Sequence, residues 1–80
     1  MLQLKDTCVY VVKNNEDIVF IGTTDCIDDA KKEHIDKDHV HTDILAVTDD
    51  MTADKAKEVC VDLMNDFVGA NEGEKPLYNN

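Results

Sequence analysis

Short alternations of hydrophobic and polar residues dominate the first half of the chain and predict β-strands. Residues 7–12 (TCVYVV) show little polarity on either alternating face, which is typical of a central strand covered on both sides. A polar turn at residues 13–17 leads into a second apolar run, residues 18–21, which ends at Gly22. Residues 44–47 predict a third strand between two polar segments.

A first helix is predicted between the second and third strands. Thr24 or Asp25 is a suitable N-cap, and the polar residues 36–39 end the helix. Asp28 and Asp29 fall near its positive end, where carboxylates are favourable. The apolar spacing gives a narrow buried stripe that consists of Ile27, Ala30, His34 and Ile35.

A second, longer helix is predicted to begin after Thr52 as N-cap, with a staple between Met51 and Ala56. Gly69 suits the position that follows its end. The buried stripe comprises Ala53, Ala56, Cys60, Leu63 and Phe67, widened by Val59, Met64 and Val68. The order β-β-α-β-α predicts a single α+β domain over residues 1–70, followed by a polar C-terminal tail, residues 71–80.

The charge balance narrows the classes of partner. The chain has 18 acidic and 8 basic residues, a net charge of −10, and all its basic residues are Lys. Such a protein repels phosphate backbones and lacks arginine for bidentate phosphate recognition, so we expect no direct nucleic-acid binding. The absence of Ser excludes a serine nucleophile.

The remaining composition predicts a cytoplasmic protein without a membrane partner. No apolar run approaches the roughly 18 residues of a membrane span, and a signal-peptide pattern is missing. The chain has an odd number of cysteines, three, and they are widely spaced: Cys8, Cys26 and Cys60. That pattern argues against a disulfide framework and a cysteine zinc site, and predicts three reduced core thiols.

Short motifs across nearly the whole chain resemble those of the GIY-YIG nuclease superfamily. Cys8-Val9-Tyr10 and Phe20-Ile21-Gly22 stand at the positions of the two name-giving motifs. Residues 27–34 resemble the family's first-helix segment, and Pro76-Leu77-Tyr78-Asn79 resembles its P-x-[YF]-N ending. The resemblance implies a three-stranded antiparallel sheet packed with two helices.

The same resemblance implies that catalysis has been lost. The family requires two tyrosines, an arginine and a metal-binding glutamate, and only Tyr10 matches. Phe20 lacks the second hydroxyl, Ala30 stands at the arginine position, and Lys55 stands near the glutamate position, with Asp54 and Glu58 adjacent. Since phosphodiester cleavage needs a metal and cations in the transition state, we expect no enzymatic activity and no cofactor.

Two further clusters carry possible chemistry. His34, His39 and His41 lie among three carboxylates and could suit a transition metal, but their spacing matches no zinc motif and favours a solvated connection. In the second helix, acidic residues recur every fourth position and advance about 40° around the axis at each step, which places them on a slowly winding ridge centred roughly opposite the apolar stripe. This acidic ridge consists of Asp54, Glu58, Asp62 and Asp66.

The ridge has two interpretations: a solvated face, or a row of carboxylates that stands in for nucleic-acid phosphates. In the second case, the ridge, with Asp28 and Asp29 adding to the field, would bind the basic cleft of a nucleic-acid-handling protein. We therefore expect a non-catalytic inhibitor or decoy, of a kind often encoded by phages or mobile elements. The alternatives are a generic binding or structural subunit and a residual metal-dependent nuclease.

Overall fold

A computed structural model describes residues 5–79 of the protein. The strands are β1 (Cys8–Asn14), β2 (Asp17–Thr24) and β3 (Asp43–Ala46), and the helices are α1 (Ile27–Asp36) and α2 (Ala53–Ala70), followed by a 3₁₀ turn at Leu77–Asn79. The strands form an antiparallel sheet in the order β2-β1-β3. The predicted α+β architecture with three antiparallel strands and two helices is confirmed. Within the described residues, no helix is both long and apolar enough to cross a membrane.

The hairpin between β1 and β2 is tighter than predicted. Asn14 pairs with Asp17, so only two residues form the turn, and Asn15 adopts a positive φ of 60°. Asparagine tolerates this left-handed conformation better than most residues do. The Asn15 N–H also donates to the Thr42 hydroxyl, 2.9 Å away, which ties the turn to the segment before β3.

A bulge in β2 decides which side chains face each helix. Val12 pairs with Phe20 while Lys13 pairs with Ile18, so Val19 is an extra residue on β2. Val19 and Phe20 consequently both join the cluster on the α1 face, whereas Ile18 and Ile21 join the cluster on the α2 face. Phe20 shares its face with Tyr10 because it pairs with Val12, while the bulge adds Val19 to that face and turns Ile18 to the other.

The central strand β1 is covered on both sides, as predicted. Tyr10 and Val12 pack with Ala30 of α1, while Val9 packs with Ala56 of α2. Val9 and Val12 have no exposed surface. Since successive strand residues point to opposite faces, the two helices lie on opposite sides of the sheet.

The start and the buried face of α1 differ from the prediction. Cys26, not Thr24 or Asp25, is the N-cap, because β2 extends through Thr24 and the Thr24 hydroxyl accepts from the Cys26 N–H. Cys26 is therefore exposed, and the prediction of a third core thiol was wrong. Ile35 is also exposed, because the sheet meets only the Ala30 and His34 side of this short helix.

The start of α2 confirms Thr52 as N-cap, since its hydroxyl accepts from the Lys55 N–H. Ala53, predicted to be buried, is exposed in the first turn. The predicted end was also wrong, because Gly69 lies inside the helix and the chain reverses later. The reversal uses the positive φ of Gly73, 88°, and the Gly73 N–H donates to the Val68 carbonyl.

The segment after α2 packs against the domain. Pro76 is fully buried, and Tyr78 packs against the cluster on the α1 face. The Asn79 side-chain carbonyl accepts from the Ile21 N–H at 2.9 Å, and the Asn79 amide donates to the Ile21 carbonyl at 3.0 Å. Asn79 therefore bonds to the outer edge of β2 in the way that a neighbouring strand would.

Candidate functional site

Tyr10 of β1 and His34 of α1 form a buried contact on the α1 face. The Tyr10 hydroxyl lies 2.9 Å from His34 Nε2. The Phe20 ring packs edge-on against the imidazole, with ring centres 4.6 Å apart, and lies 5.7 Å from the Tyr10 ring. The three side chains come from three different elements, so their contact depends on the complete fold.

Gly22 makes room for these rings. It lies opposite Tyr10 in the sheet, and a Cβ atom at this position would lie 2.5 Å from Cε1 of Phe20 and 3.4 Å from Cε1 of Tyr10. A side chain at residue 22 would therefore push the Phe20 ring out of its place against His34. The requirement for glycine here comes from the close approach of the rings.

The contact continues from His34 toward the C-terminal segment. His34 Nδ1 lies 2.8 Å from His39 Nδ1. The His39 ring stacks on the Tyr78 ring with centres 4.0 Å apart and an interplanar angle of 4°. The Val40 N–H donates to the Tyr78 hydroxyl. We call these five aromatic and imidazole side chains the Tyr-His cluster: Tyr10, Phe20, His34, His39 and Tyr78.

Burial keeps the inner members of the Tyr-His cluster uncharged. Burial, and then the negative charge of Glu33, raise the pKa of Tyr10 to about 12. Burial lowers the pKa of His34, and the neighbouring His39 lowers it further, partly opposed by Glu33. At neutral pH this cluster thus supplies neither a phenolate base nor a buried imidazolium that could stabilise a phosphate.

The motif positions that carry the resemblance fall into two groups in space. Tyr10 and Phe20 lie together on the α1 face, and Ala30 packs in the same cluster with 3% exposure. Lys55 instead lies exposed on α2, across the sheet, where its Nζ is 3.7 Å from a Glu58 carboxylate oxygen. Neither arginine nor a carboxylate of α2 therefore contributes to the face that contains Tyr10.

The three histidines do not form a shared ligand set. His34 and His39 bond to each other, whereas Nδ1 of His41 donates to the His39 backbone carbonyl at 2.7 Å. Among residues 5–79, no three His, Cys, Asp or Glu side chains converge in a way that could hold a metal ion. Internal hydrogen bonds thus use both ring nitrogens of His34 and the Nδ1 atoms of His39 and His41.

The acidic ridge is the second candidate surface. Asp54, Glu58, Asp62 and Asp66 are all exposed. From first to last they span about 18 Å along the helix axis at 1.5 Å per residue. In contrast, Asp28 and Asp29 are exposed in the first turn of α1, on the other side of the sheet. The structure therefore does not bring the two predicted parts of the acidic surface together.

Sequence reasoning missed the roles of Tyr78 and Asn79, although both stand in the quoted P-x-[YF]-N ending. It also missed the pairing of Tyr10 with His34, for which the only signal was a histidine in an apolar stripe. No protein-family model, curated protein or solved structure matches the chain. The resemblance therefore rests on the motif residues and the order of the elements.

Proposed function

We propose that the protein is a non-catalytic, acidic interaction protein. It inhibits a nucleic-acid-handling protein, or acts as a decoy for it, by occupying its basic cleft. The observation that supports this proposal best is the exposed acidic ridge on α2. Its four carboxylates project from one rigid helix, and Lys55 pairs with one of them at 3.7 Å. A row of carboxylates on one helix presents to a basic cleft the same sign of charge as a phosphate backbone.

The energetics of the ridge also support a role beyond helix stability. Like charges four residues apart destabilise a helix by roughly 0.2–0.5 kcal/mol per pair, so three such pairs cost about 0.6–1.5 kcal/mol. Together with the net charge of −10, the ridge creates a field that steers a positively charged partner toward α2. Because exposed charges are screened beyond about 8 Å at physiological salt, such a complex weakens as ionic strength rises.

The Tyr-His cluster supports the non-catalytic part of the proposal. Phe20 has no hydroxyl, Ala30 has no charge, and the Tyr10 hydroxyl is held by His34 in a buried environment. Phosphodiester cleavage requires cationic or metal stabilisation of the developing charge. The Tyr-His cluster contains neither arginine nor lysine, so in our proposal its rings stabilise the fold.

Paired affinity capture from a cell lysate at low and high salt tests the interaction. The first bait is the native protein, and the second carries Asp54→Asn, Glu58→Gln, Asp62→Asn and Asp66→Asn. A third, charge-matched bait carries the same number of neutralising changes at exposed positions outside α2: Glu16→Gln, Asp28→Asn, Asp29→Asn and Asp36→Asn.

We expect the native and charge-matched baits, but not the ridge variant, to retain a nucleic-acid-binding protein at low salt. The purified partner should then lose affinity for its nucleic acid when the native protein is added. Equal capture by all three baits at both salts would instead indicate a binding subunit that uses an apolar interface, and would overturn the decoy proposal.

An activity assay tests the remaining alternative, a metal-dependent nuclease. The protein is incubated with Mg²⁺ or Mn²⁺ and single-stranded, double-stranded and branched nucleic acids, beside the Tyr10→Phe variant. We expect no cleavage above background. Cleavage that follows the protein through purification and disappears in the variant would show that the protein is an enzyme.

A further inference from the structure

The two edges of the sheet differ in what occupies them. At the β2 edge, Asn79 bonds to both backbone groups of Ile21. The other edge is β3, whose one neighbour in the described sheet is β1. Val47, just after β3, donates to the Val9 carbonyl of β1. Because hydrogen-bonding direction alternates along a strand, Ile44 and Ala46 direct their N–H and C=O groups away from β1, at this edge.

An apolar groove adjoins this edge. α2 crosses β1 and β2 but leaves β3 uncovered, so Leu45 and Val47 are 47% and 48% exposed. These two side chains form one wall of a groove of about 480 Å³, and Leu63 and Phe67 of α2 contribute to the other wall. A strand placed beside β3 would direct alternate side chains toward this face of the sheet.

The charges around the groove indicate the chemistry of its occupant. Asp66 lines the groove, Asp43 begins β3, and Asp49 and Asp50 follow it, while Lys13 is the lysine at the groove. Carboxylates at both ends of an apolar edge favour a segment with apolar residues at its centre and basic residues at its ends. A second copy of the chain fits less well, because each copy has a net charge of −10.

We propose that β3 and its groove bind an extended, basic segment of the partner protein, which adds to the sheet as a fourth strand. The four residues of β3 span about 13 Å at 3.3 Å per residue, so four to five residues of the partner pair with it. Backbone hydrogen bonds to Ile44 and Ala46 hold the segment, and its alternate side chains enter the groove. This inference rests on the proposed function because it requires a basic partner. It adds a backbone contact at β3 that the acidic ridge does not supply.

The test titrates isotope-labelled protein with a synthetic nine-residue peptide and follows binding by NMR. The peptide has Val at three alternate central positions, Thr between them, and two Lys or Arg residues at each end. We expect chemical-shift changes at Leu45 and Val47, and slower amide hydrogen exchange at Ile44 and Ala46. A control peptide with proline at the central Val and at both Thr positions lacks N–H donors toward β3 in either strand direction, and should bind at least about fivefold more weakly, since one net hydrogen bond is worth roughly 1 kcal/mol.

Two substitutions at one position isolate the strand pairing. Ala46→Pro removes the outward N–H, and proline is tolerated where a strand's N–H faces solvent. Ala46→Val keeps the N–H and suits a strand. We expect the proline variant to bind the peptide at least about fivefold more weakly, and the valine variant to bind it like the native protein. Unchanged circular dichroism of both variants shows that the sheet is intact.

Three outcomes would overturn the inference. Equal binding by the Ala46→Pro and Ala46→Val variants would show that no strand is added at β3. Chemical-shift changes confined to α2 would show that the peptide binds the ridge by charge alone. Dimerisation of the protein through β3, measured by sedimentation, would make a second copy the occupant. The variant Asp54→Asn, Glu58→Gln, Asp62→Asn separates this test from the decoy proposal, because it removes ridge charges but should retain peptide binding at β3.

Discussion

The Tyr10 hydroxyl and the His34 imidazole form a hydrogen bond of 2.9 Å in which both side chains are almost fully buried, with 4% and 3% exposure. His34 also contacts His39 through its other ring nitrogen. A neutral imidazole has one donor and one acceptor nitrogen, so neutral His34 donates one hydrogen bond and accepts another. The Tyr10 hydroxyl and the His39 imidazole can each fill either role. The Tyr10–His34 contact therefore links β1, α1 and the loop that follows α1.

This burial predicts a pH dependence of stability. The folded protein holds the pKa of His34 below its usual value of about 6.5. The unfolded chain then binds more protons than the folded one near that pH, so the free energy of unfolding falls as the pH falls below about 6.5. Urea unfolding between pH 7.5 and pH 5 measures the slope. The slope should be smaller in His34→Gln, and equal slopes in the native protein and this variant would contradict the assignment.

A matched pair of glycine substitutions tests the packing of the rings. We expect Gly22→Ala to destabilise the protein by about 1–3 kcal/mol, the range typical of overpacking, because the new Cβ would lie 2.5 Å from the Phe20 ring. The control is Gly69→Ala in α2, where no atom lies within 4 Å of the new Cβ and alanine favours the helix by roughly 0.5–1 kcal/mol. Chemical denaturation should show opposite signs, and destabilisation of similar size by both changes would contradict the ring-packing explanation.

The role of Asn79 can be measured at a single amide. Asn79→Ala removes two hydrogen bonds to Ile21, and at about 0.5–1.5 kcal/mol each the expected loss of stability is about 1–3 kcal/mol. The Ile21 amide should also exchange faster with solvent. Leu77→Ala, at a side chain that is 64% exposed, is the control and should change stability by less than about 0.5 kcal/mol. An unchanged Ile21 exchange rate in Asn79→Ala would show that Asn79 does not protect this edge.

The three thiols should react at different rates. Cys26 is exposed, whereas Cys8 is buried and Cys60 is partly buried. Burial raises the pKa of both the Cys8 and the Cys60 thiols, which lowers the reactive thiolate fraction further. Under native conditions a maleimide reagent should modify Cys26 first, as mass spectrometry of the digested protein would show. Cys26→Ala should abolish the fast phase, and a persistent fast phase would contradict the burial of the other two.

The sequence was sufficient to predict the order of the elements and the main faces of β1 and α2, because those segments have a clear period. It was insufficient at residues 18–21, where an uninterrupted apolar run gives no signal for the bulge at Val19. Cys26 was misassigned because a cysteine in an apolar period is usually buried, and the longer β2 placed it at the start of α1 instead.

The candidate sites were predicted to different degrees. The acidic ridge follows from a four-residue period alone, and the exposure of all four residues agrees with it. The Tyr-His cluster could not be predicted, since its members come from β1, β2, α1, a loop and the C-terminal turn. The groove beside β3 depends on the position of α2 over the sheet, which no local pattern specifies.

The bonds between Asn79 and Ile21 at the β2 edge also bear on self-association. Two copies that met through β3 would form a continuous six-stranded sheet whose outer strands are both β2, each already bonded by its own Asn79. A third copy would have to displace Asn79 from Ile21 before it could pair along β2, which disfavours growth into an open fibre. A single side-chain amide thus hinders sheet polymerisation through β2.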